Sequence, residues 1–203
     1  MKRLLLTQGR TGSLVLTRYI RESNNINVYR EPFNTTSELE TGLKYDLNKI
    51  LSETDIFVEN KIGTQSLPIE LQNLSIDDLM RFFIKNFDII GILIRKDIVA
   101  QTESALNAIQ TGNWDSNYIY NEIDKTKVDE YKKMLEEEQS ILKYISKSYN
   151  IPIFYYEDLY LINQKENLKN FCNHFNIKYV ENIRQKHMDL NKKYRVSKNK
   201  NLI

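Results

Sequence analysis

The residues of this sequence with the most evident chemical potential form a short turn near its start. Gln8-Gly9-Arg10-Thr11-Gly12-Ser13 follows the apolar run Leu4–Thr7 and leads into a helical pattern, Thr11–Glu22. A strand, a glycine turn and a helix start direct backbone N–H groups at one point, which is how proteins bind phosphate. The turn lacks the Gly-Lys-Ser/Thr ending of the nucleotide-binding P-loop, and it contains an arginine. It therefore predicts a phosphate-bearing ligand other than ATP, or else a simple connection in which Ser13 caps the helix.

A second group of polar residues follows the most apolar run of the chain. Arg95 comes directly after Phe87–Ile94. Ser104 lies two turns into the next helical pattern, on the face that carries Asp97 and Gln101. An arginine and a serine in these positions can bind one phosphate from two sides. The alternative is that Arg95 pairs with Asp97 and that Ser104 is a small packing residue.

A glutamate also stands at a predicted strand end. Glu31 follows the apolar run Ile26–Tyr29 and precedes Pro32. A carboxylate close to the Gln8–Ser13 turn, called the phosphate turn below, can accept a proton from a hydroxyl group, which is the role of a general base. The alternative is a loop glutamate that pairs with Arg30. Pro32 favours a fixed, extended backbone at Glu31, since proline disfavours helical conformations in the residue before it.

Composition and charge exclude several classes of partner. The 203 residues have a net charge of +2, which predicts no strong attraction to nucleic acid or to a membrane. The one cysteine, Cys172, allows neither an internal disulfide nor a cysteine metal cluster. His174 and His187 have no partners at metal-ligand or catalytic-triad spacing, so we expect no metal. The N-terminal apolar run is too short for a signal peptide or a membrane span, which predicts a cytoplasmic location.

Short apolar runs alternate with helical patterns along the chain. The strand patterns are Leu4–Thr7, Ile26–Tyr29, Ile56–Ile62, Phe87–Ile94 and Ile151–Tyr156. The helical patterns are Thr11–Glu22, Tyr45–Ser52, Ser75–Lys85, the segment between Asp97 and Gly112, Asp129–Tyr149 and Gln164–Phe175. This alternation predicts an α/β fold, a three-layer α/β/α arrangement with a central, mainly parallel sheet, in a single domain of residues 1–203. Ligands bind at the carboxyl ends of such strands, where the turn, Glu31, Lys61, Arg95 and Glu157 fall.

Two of the helical patterns have a predicted apolar side. The helix that Asp97 caps is expected to bury Val99, Ala100, Ala105, Leu106, Ala108 and Ile109. The long helix Asp129–Tyr149 is expected to bury Tyr131, Met134, Leu135, Ile141, Leu142, Ile145 and Tyr149.

Together these motifs resemble sulfotransferases that use 3′-phosphoadenosine 5′-phosphosulfate (PAPS). The segment Gln8–Ser13 is similar to their 5′-phosphosulfate loop. Arg95 with Gln101 and Ser104, followed by Gln110-Thr111-Gly112-Asn113-Trp114, resembles the bacterial trehalose sulfotransferase family. The resemblance implies a P-loop-like sulfotransferase fold. It also implies sulfuryl transfer from PAPS to an acceptor hydroxyl of a carbohydrate or glycolipid, with no metal required.

The resemblance also implies roles for individual residues. Glu31 would be the general base, Arg10 would stabilise the bridging oxygen, and Lys61 would contact the sulfuryl group or the acceptor. The 5′-phosphosulfate would be held by Gly9, Arg10, Thr11, Gly12, Ser13 and Leu14. The 3′-phosphate would be held by Arg95 and Ser104. The polar, basic tail of residues 182–203 would partly close over the nucleotide and bring in Arg184 and Arg195.

Two other functions fit the same residues. One is a P-loop-like kinase, which would need a P-loop lysine that the turn does not have. The other is a protein that binds PAPS or its product but has lost turnover. Several aromatic residues form either an acceptor-binding wall or part of the core, namely Tyr29, Phe33, Trp114, Tyr118 and Tyr120. The expected partner is a small-molecule or glycan acceptor, with no nucleic acid, and a homodimer is left open.

Overall fold

Five parallel strands form the centre of the computed structural model, which describes residues 1–33, 46–62, 74–112 and 124–188. The strands are β1 (Lys2–Thr7), β2 (Asn27–Arg30), β3 (Ile56–Lys61), β4 (Ile89–Ile94) and β5 (Ile153–Tyr155). Their order across the sheet is β2-β3-β1-β4-β5, and each neighbouring pair is parallel. The prediction of a parallel sheet is therefore confirmed, with β1 at its centre.

The helices lie close to their predicted positions. They are α1 (Ser13–Asn24), α2 (Leu47–Ser52), α3 (Ile76–Asn86), α4 (Ile98–Thr111), α5 (Val128–Tyr149), α6 (Tyr156–Tyr160) and α7 (Gln164–His174). A 3₁₀ turn, Lys125–Lys127, precedes α5, and residues 181–188 are also helical. The last strand was expected to include Tyr156, and this is wrong, because α6 begins at that residue without an intervening loop.

Local signals in the sequence explain where two of the helices begin. The Ser75 side chain accepts a hydrogen bond from the backbone N–H of Asp78, and the Asp97 side chain accepts one from that of Ala100. Such caps satisfy N–H groups that have no partner within the helix. At the other end of α4, Gly112 has the left-handed backbone conformation (φ +63°) that the sequence predicts for a glycine C-cap.

Two apolar clusters cover the two faces of the sheet. On one face, strand residues such as Leu4 and Leu6 pack with residues of α2, α3 and α5, which include Ile50, Phe83 and Leu142. On the other face, strand residues such as Leu5 and Phe57 pack with residues of α1, α6 and α7, which include Leu16, Leu159 and Phe171. Side chains alternate between faces along a strand, so the continuous apolar runs of β1 and β4 serve both clusters. The α/β/α layering is thereby confirmed.

The predicted apolar sides of α4 and α5 are only partly correct. Val99 and Ile109 of α4 are 50% and 45% exposed, whereas the polar residues Gln101 and Asn107 are buried. The reason is that the inner face of α4 meets polar backbone, since Gln101 Nε2 donates to the Gly9 carbonyl at 2.6 Å. On α5, Leu135, Leu142 and Ile145 are buried as predicted, but Met134 is exposed.

We expect Gly12→Ala to destabilise the protein by about 1–3 kcal/mol. Gly12 has φ +78°, and a Cβ atom there would lie 2.9 Å from ring carbons of Tyr156 and Tyr160. Gly9→Ala is the matched control in the same turn, because its Cβ would meet nothing within 4 Å. Urea denaturation of both variants measures the two free energies of unfolding. Equal losses would show that the aromatic packing does not restrict residue 12.

Candidate functional site

The carboxyl ends of the strands bring the predicted site residues to one edge of the sheet. Thr7, the last residue of β1, pairs with Lys61 of β3 on one side and with Leu93 of β4 on the other. The phosphate turn leaves β1 directly after Thr7. It therefore lies between Lys61 and the end of β4, which Arg95 follows.

The turn has two residues in the left-handed backbone region, Arg10 (φ +63°) and Gly12 (φ +78°). Such residues curl the chain so that successive N–H groups converge, which forms a concave anion site. Gly12 is the N-cap of α1 and provides no side-chain cap, and the N–H groups at such a helix end attract anions. Thr11 was predicted to be among the residues that hold the 5′-phosphosulfate. Its side chain is instead buried, and its Oγ1 donates to the Gln8 carbonyl at 3.0 Å, which closes the turn.

Two hydrogen bonds join the turn to α4. Arg10 Nε donates to Ser104 Oγ at 3.0 Å, and Gln101 Nε2 donates to the Gly9 carbonyl at 2.6 Å. The two predicted phosphate-binding motifs, which are far apart in sequence, are therefore in direct contact. The sequence analysis gave Gln101 no contact of its own, and the structure shows that its side chain holds the turn.

Arg95 is buried beside the turn. Its guanidinium carbon lies 4.7 Å from the centre of the Tyr156 ring, and its Nε lies 3.7 Å from Glu157 Oε1. Both arrangements stabilise a cation away from bulk water. The alternative that pairs Arg95 with Asp97 gains no support here, because the Asp97 carboxylate caps α4.

Glu31 and Lys61 form an ion pair at the other side of the turn, with Lys61 Nζ 2.6 Å from Glu31 Oε1. Arg30 is more distant, at 3.8 Å from the same oxygen. The predicted extended backbone at Glu31 is wrong, because its φ is +52°. Tertiary hydrogen bonds override the effect of proline here. The N–H of Glu31 donates to the Glu59 carbonyl at 2.6 Å, and the N–H of buried Phe33 donates to Asn60 Oδ1.

Glu59 is a buried acid of this site that the sequence analysis did not assign. It has no exposed surface, accepts a hydrogen bond from Thr7 Oγ1 at 2.8 Å, and lies 3.7 Å from Arg30 Nε. Burial, helped by the charge of Glu31, raises the pKa of the Glu59 carboxyl. The sequence signal that could have identified Glu59 is its position, since it is a charged residue within the apolar strand pattern Ile56–Ile62.

Glu138 of α5 is a second acid that the sequence analysis did not assign. It is half-buried, one turn after Leu135, whose carbonyl accepts a hydrogen bond at 2.8 Å from Nε2 of Gln8, the residue that follows β1. Burial raises the pKa of Glu138 to about 7, although the polar side chain of Gln8 and the charge of Lys61 act in the opposite direction. In the sequence it stands within the acidic run Glu136–Glu138, which is typical of a solvated helix face.

Other predicted site residues lie elsewhere or outside the described residues. The Arg184 guanidinium donates to Glu181 Oε1 and, at 2.6 Å, to Gln164 Oε1. Arg195, Trp114, Tyr118 and Tyr120 lie outside the described ranges, as does most of the 182–203 tail. Of the aromatic residues, Phe33 belongs to the core, where it packs on Phe83, and the Tyr29 hydroxyl donates to Glu53.

The remaining candidates for redox or metal chemistry are structural within these ranges. Cys172 is buried, which raises its pKa to about 11. His174 contacts the Ile90 carbonyl at 3.0 Å, and His187 contacts the Glu22 carboxylate at 2.9 Å. The described residues contain no group of three His, Cys, Asp or Glu side chains that could hold a metal ion. Within them, too, every helix is too short or too polar to cross a membrane.

The fold matches solved sulfotransferase structures. Mouse sulfotransferase SULT7A1, crystallised with PAP (adenosine 3′,5′-bisphosphate), matches with a TM-score of 0.57 at 9% identity, over 93% of this chain and 62% of that chain. The sulfotransferase domain from the curacin biosynthetic pathway matches with a TM-score of 0.48 at 15% identity, over 91% of this chain and 76% of that chain. The sulfotransferase domain from the Synechococcus PCC 7002 olefin synthase matches with a TM-score of 0.47 at 12% identity, over 90% of this chain and 75% of that chain.

The match to the mouse protein establishes the fold. The chain has the sulfotransferase fold, as predicted, and it spans 62% of the length of the mouse protein. No family model and no curated protein matches the sequence.

We expect the free energy of unfolding of Glu59→Gln to increase relative to that of the unchanged protein as the pH rises. Because the folded pKa is raised, the native state keeps a proton on Glu59 at pH values where the unfolded chain has lost it. Stability therefore falls as the pH rises above the usual glutamate pKa of about 4.3 towards the raised value, and Gln removes this dependence.

Urea denaturation of both proteins across that pH range measures the difference in unfolding free energy. Glu137→Gln, at an exposed position on α5, is the control for general charge effects. A difference that stays constant with pH would contradict the assignment of a buried, protonated Glu59.

Proposed function

We propose that this chain is a sulfotransferase that moves a sulfuryl group from PAPS to an acceptor hydroxyl. The observation that carries the proposal is the hydrogen bond between Arg10 Nε and Ser104 Oγ, 3.0 Å long. It joins the turn that can bind one phosphate group to the helix that can bind another. A donor with two separate phosphate groups fits this pair of sites better than a nucleoside triphosphate does.

The side of the site that binds the sulfuryl donor, PAPS, is basic. The backbone amides of residues 9–14 and the positive end of α1 hold the 5′-phosphosulfate, and Arg10 stabilises the bridging oxygen. Arg95 and Ser104 hold the 3′-phosphate. The sulfotransferase fold supports this choice of donor, as does the PAP in the crystal structure of the mouse protein. Closure of the C-terminal segment over the nucleotide, through Arg184 and Arg195, belongs to the same proposal.

The acceptor side of the site contains Glu31 and Lys61. Glu31 takes the proton of the acceptor hydroxyl, and Lys61, 2.6 Å away, lies where it can contact the sulfuryl group or the acceptor. The reaction needs in-line positioning and stabilisation of the charge that develops on oxygen. A sulfuryl group carries less charge than a phosphoryl group, so we propose that backbone amides and Arg10 suffice without a metal ion.

The acceptor class follows from the sequence resemblance. The block from Arg95 to Trp114 resembles bacterial trehalose sulfotransferases, which supports a carbohydrate or glycolipid acceptor. A cytoplasmic location and a homodimer stay predictions.

We expect Arg95→Ala to weaken the binding of adenosine 3′,5′-bisphosphate (PAP) by about 10- to 100-fold, because a charged hydrogen bond to phosphate is lost. Isothermal titration calorimetry measures this, and thermal unfolding confirms that the variant folds. Arg81→Ala is the control, since the Arg81 side chain is 76% exposed and pairs with Asp78 on α3. If the unchanged protein bound ATP with magnesium more tightly than PAP, the kinase alternative would replace this proposal.

We expect Glu31→Gln to lower turnover by about 10²- to 10⁴-fold and to leave PAP affinity unchanged, because only the proton acceptor is removed. The measurement is transfer from labelled PAPS to a panel of sugars, lipids and phenols. Glu137→Gln serves as the control. Normal turnover by Glu31→Gln would exclude Glu31 as the base, and no transfer by the unchanged protein despite PAP binding would favour the inactive binder.

A further inference from the structure

The register of the last two strands places Glu157 beside the segment that follows β4. Ile94, the last residue of β4, pairs with Tyr155, the last residue of β5. The residues that come next therefore leave the sheet as neighbours, and Glu157 stands in the first turn of α6 because that helix begins at once. The sequence analysis placed Glu157 at this edge of the sheet without giving it a role.

The Glu157 carboxylate binds the backbone after Arg95 with both of its oxygens. Oε2 accepts a hydrogen bond from the N–H of Lys96 at 2.8 Å, and Oε1 accepts one from the N–H of Asp97 at 3.1 Å. Hydrogen bonds to an ionised acceptor are stronger than those between neutral groups. The carbonyl of Arg95 accepts a further hydrogen bond, from Gln139 Nε2 of α5 at 2.7 Å. The main chain that carries Arg95 is therefore fixed from both α6 and α5.

The same carboxylate also meets the Arg95 side chain. Arg95 Nε lies 3.7 Å from Glu157 Oε1, and the guanidinium carbon lies 4.7 Å from the centre of the Tyr156 ring. The side chains of this ion pair are only 9% and 12% exposed, so water and salt screen their attraction little. A ring and a carboxylate thus determine how the guanidinium plane is turned. That orientation matters, because an arginine binds phosphate through two N–H groups along one edge of the plane.

We propose that Glu157 is a positioning residue, which turns Arg95 so that the edge formed by its two Nη atoms is presented to the 3′-phosphate of the donor. Glu157 acts through Arg95 and does not itself contact the donor. Its negative charge is directed at two N–H groups and a cation, which limits its repulsion of the phosphate. The contact with a 3′-phosphate rests on the proposed function, whereas the orientation of Arg95 by Glu157 does not.

The first test follows Arg95 in the full chain without a ligand. The signal is the Nε–Hε pair of Arg95 in a ¹H–¹⁵N NMR spectrum, assigned by its loss in Arg95→Ala. We expect Glu157→Gln to move this signal towards the position of exposed arginines, because the ion pair at Nε is lost. Asp158→Asn is the matched control, since Asp158 is the next residue and pairs with the Lys96 side chain at 2.7 Å. An unchanged signal in Glu157→Gln, or the same shift in Asp158→Asn, would overturn the proposal.

The second test uses calorimetry with two ligands that differ by the 3′-phosphate, PAP and adenosine 5′-phosphate. We expect Glu157→Gln to weaken PAP binding by about 10-fold and to leave the binding of adenosine 5′-phosphate unchanged, because only the group that Arg95 contacts is affected. Glu157→Asp keeps the charge on a shorter side chain and should lose less PAP affinity, and Asp158→Asn should lose none. Thermal unfolding checks that each variant folds, and if Glu157→Gln does not, Glu157→Asp is compared with the two ligands in its place.

Three results of this comparison would overturn the positioning role. An unchanged PAP affinity would show that Arg95 does not need Glu157. Equal losses for the two ligands would show that Glu157 only stabilises the fold around the site. Tighter PAP binding by Glu157→Gln would show that the carboxylate mainly repels the ligand.

A double substitution separates this inference from the proposed function. In Arg95→Ala, we expect Glu157→Gln to cause no further loss of PAP affinity, because no guanidinium is left to position. A further loss of about 10-fold would overturn the positioning role. If the unchanged protein binds PAP no more tightly than adenosine 5′-phosphate while Glu157→Gln still moves the Arg95 signal, the proposed function fails and the orientation of Arg95 by Glu157 stands. If Arg95→Ala removes a preference for PAP that Glu157→Gln keeps, the positioning role alone fails.

Discussion

The central position of β1 in the parallel sheet is the constraint on which the site depends. A strand with neighbours on both sides places the turn that follows it between the ends of those neighbours. Here the pairing of Thr7 with Lys61 and with Leu93 puts the phosphate turn between the end of β3 and the end of β4. Under the proposed function, the chemistry of the acceptor and the recognition of the nucleotide are thereby separated onto opposite sides of one turn. An edge strand could not provide this arrangement.

Aromatic packing fixes the turn in place. Tyr156 and Tyr160 of α6 lie against Gly12, and the Tyr160 hydroxyl donates to the Gly12 carbonyl at 2.7 Å. The Tyr156 ring also supports the Arg95 guanidinium. Because α6 follows β5 without a loop, these rings are positioned by the sheet itself. The anion turn and the nearby cation therefore share one rigid support, and a pre-organised support reduces the entropic cost of binding a ligand.

Much of this architecture could be predicted from the sequence, because apolar runs, caps and glycine turns are local signals. The strand order and the individual side-chain pairings could not, since they depend on residues far apart in the chain. The backbone at Glu31 illustrates this, because hydrogen bonds from β3 outweigh the local preference set by Pro32. Likewise, helical spacing places Val99 on the side of α4 that carries Leu106, but it does not say that the inner face of this helix meets a polar turn. The sequence did not single out Glu138, because it follows Glu136 and Glu137 in an acidic run that is typical of an exposed helix face.

The charges of the site are divided in a way that the proposed reaction requires. Arg10 and Arg95 lie on the side of α4 and β4, where an anionic donor would bind. The acids Glu31 and Glu59 lie towards the ends of β2 and β3, where under the proposed function a hydroxyl loses its proton. A cluster of acids is costly because each carboxylate raises the pKa of the next, as Glu31 does for Glu59. Lys61 pairs with Glu31 and its charge opposes the rise in the Glu59 pKa, so it offsets part of this cost. Under the proposed function, Lys61 would have to exchange Glu31 for the sulfuryl oxygens during transfer, because one ammonium cannot stay within 2.6 Å of the carboxylate and also bind the reacting group.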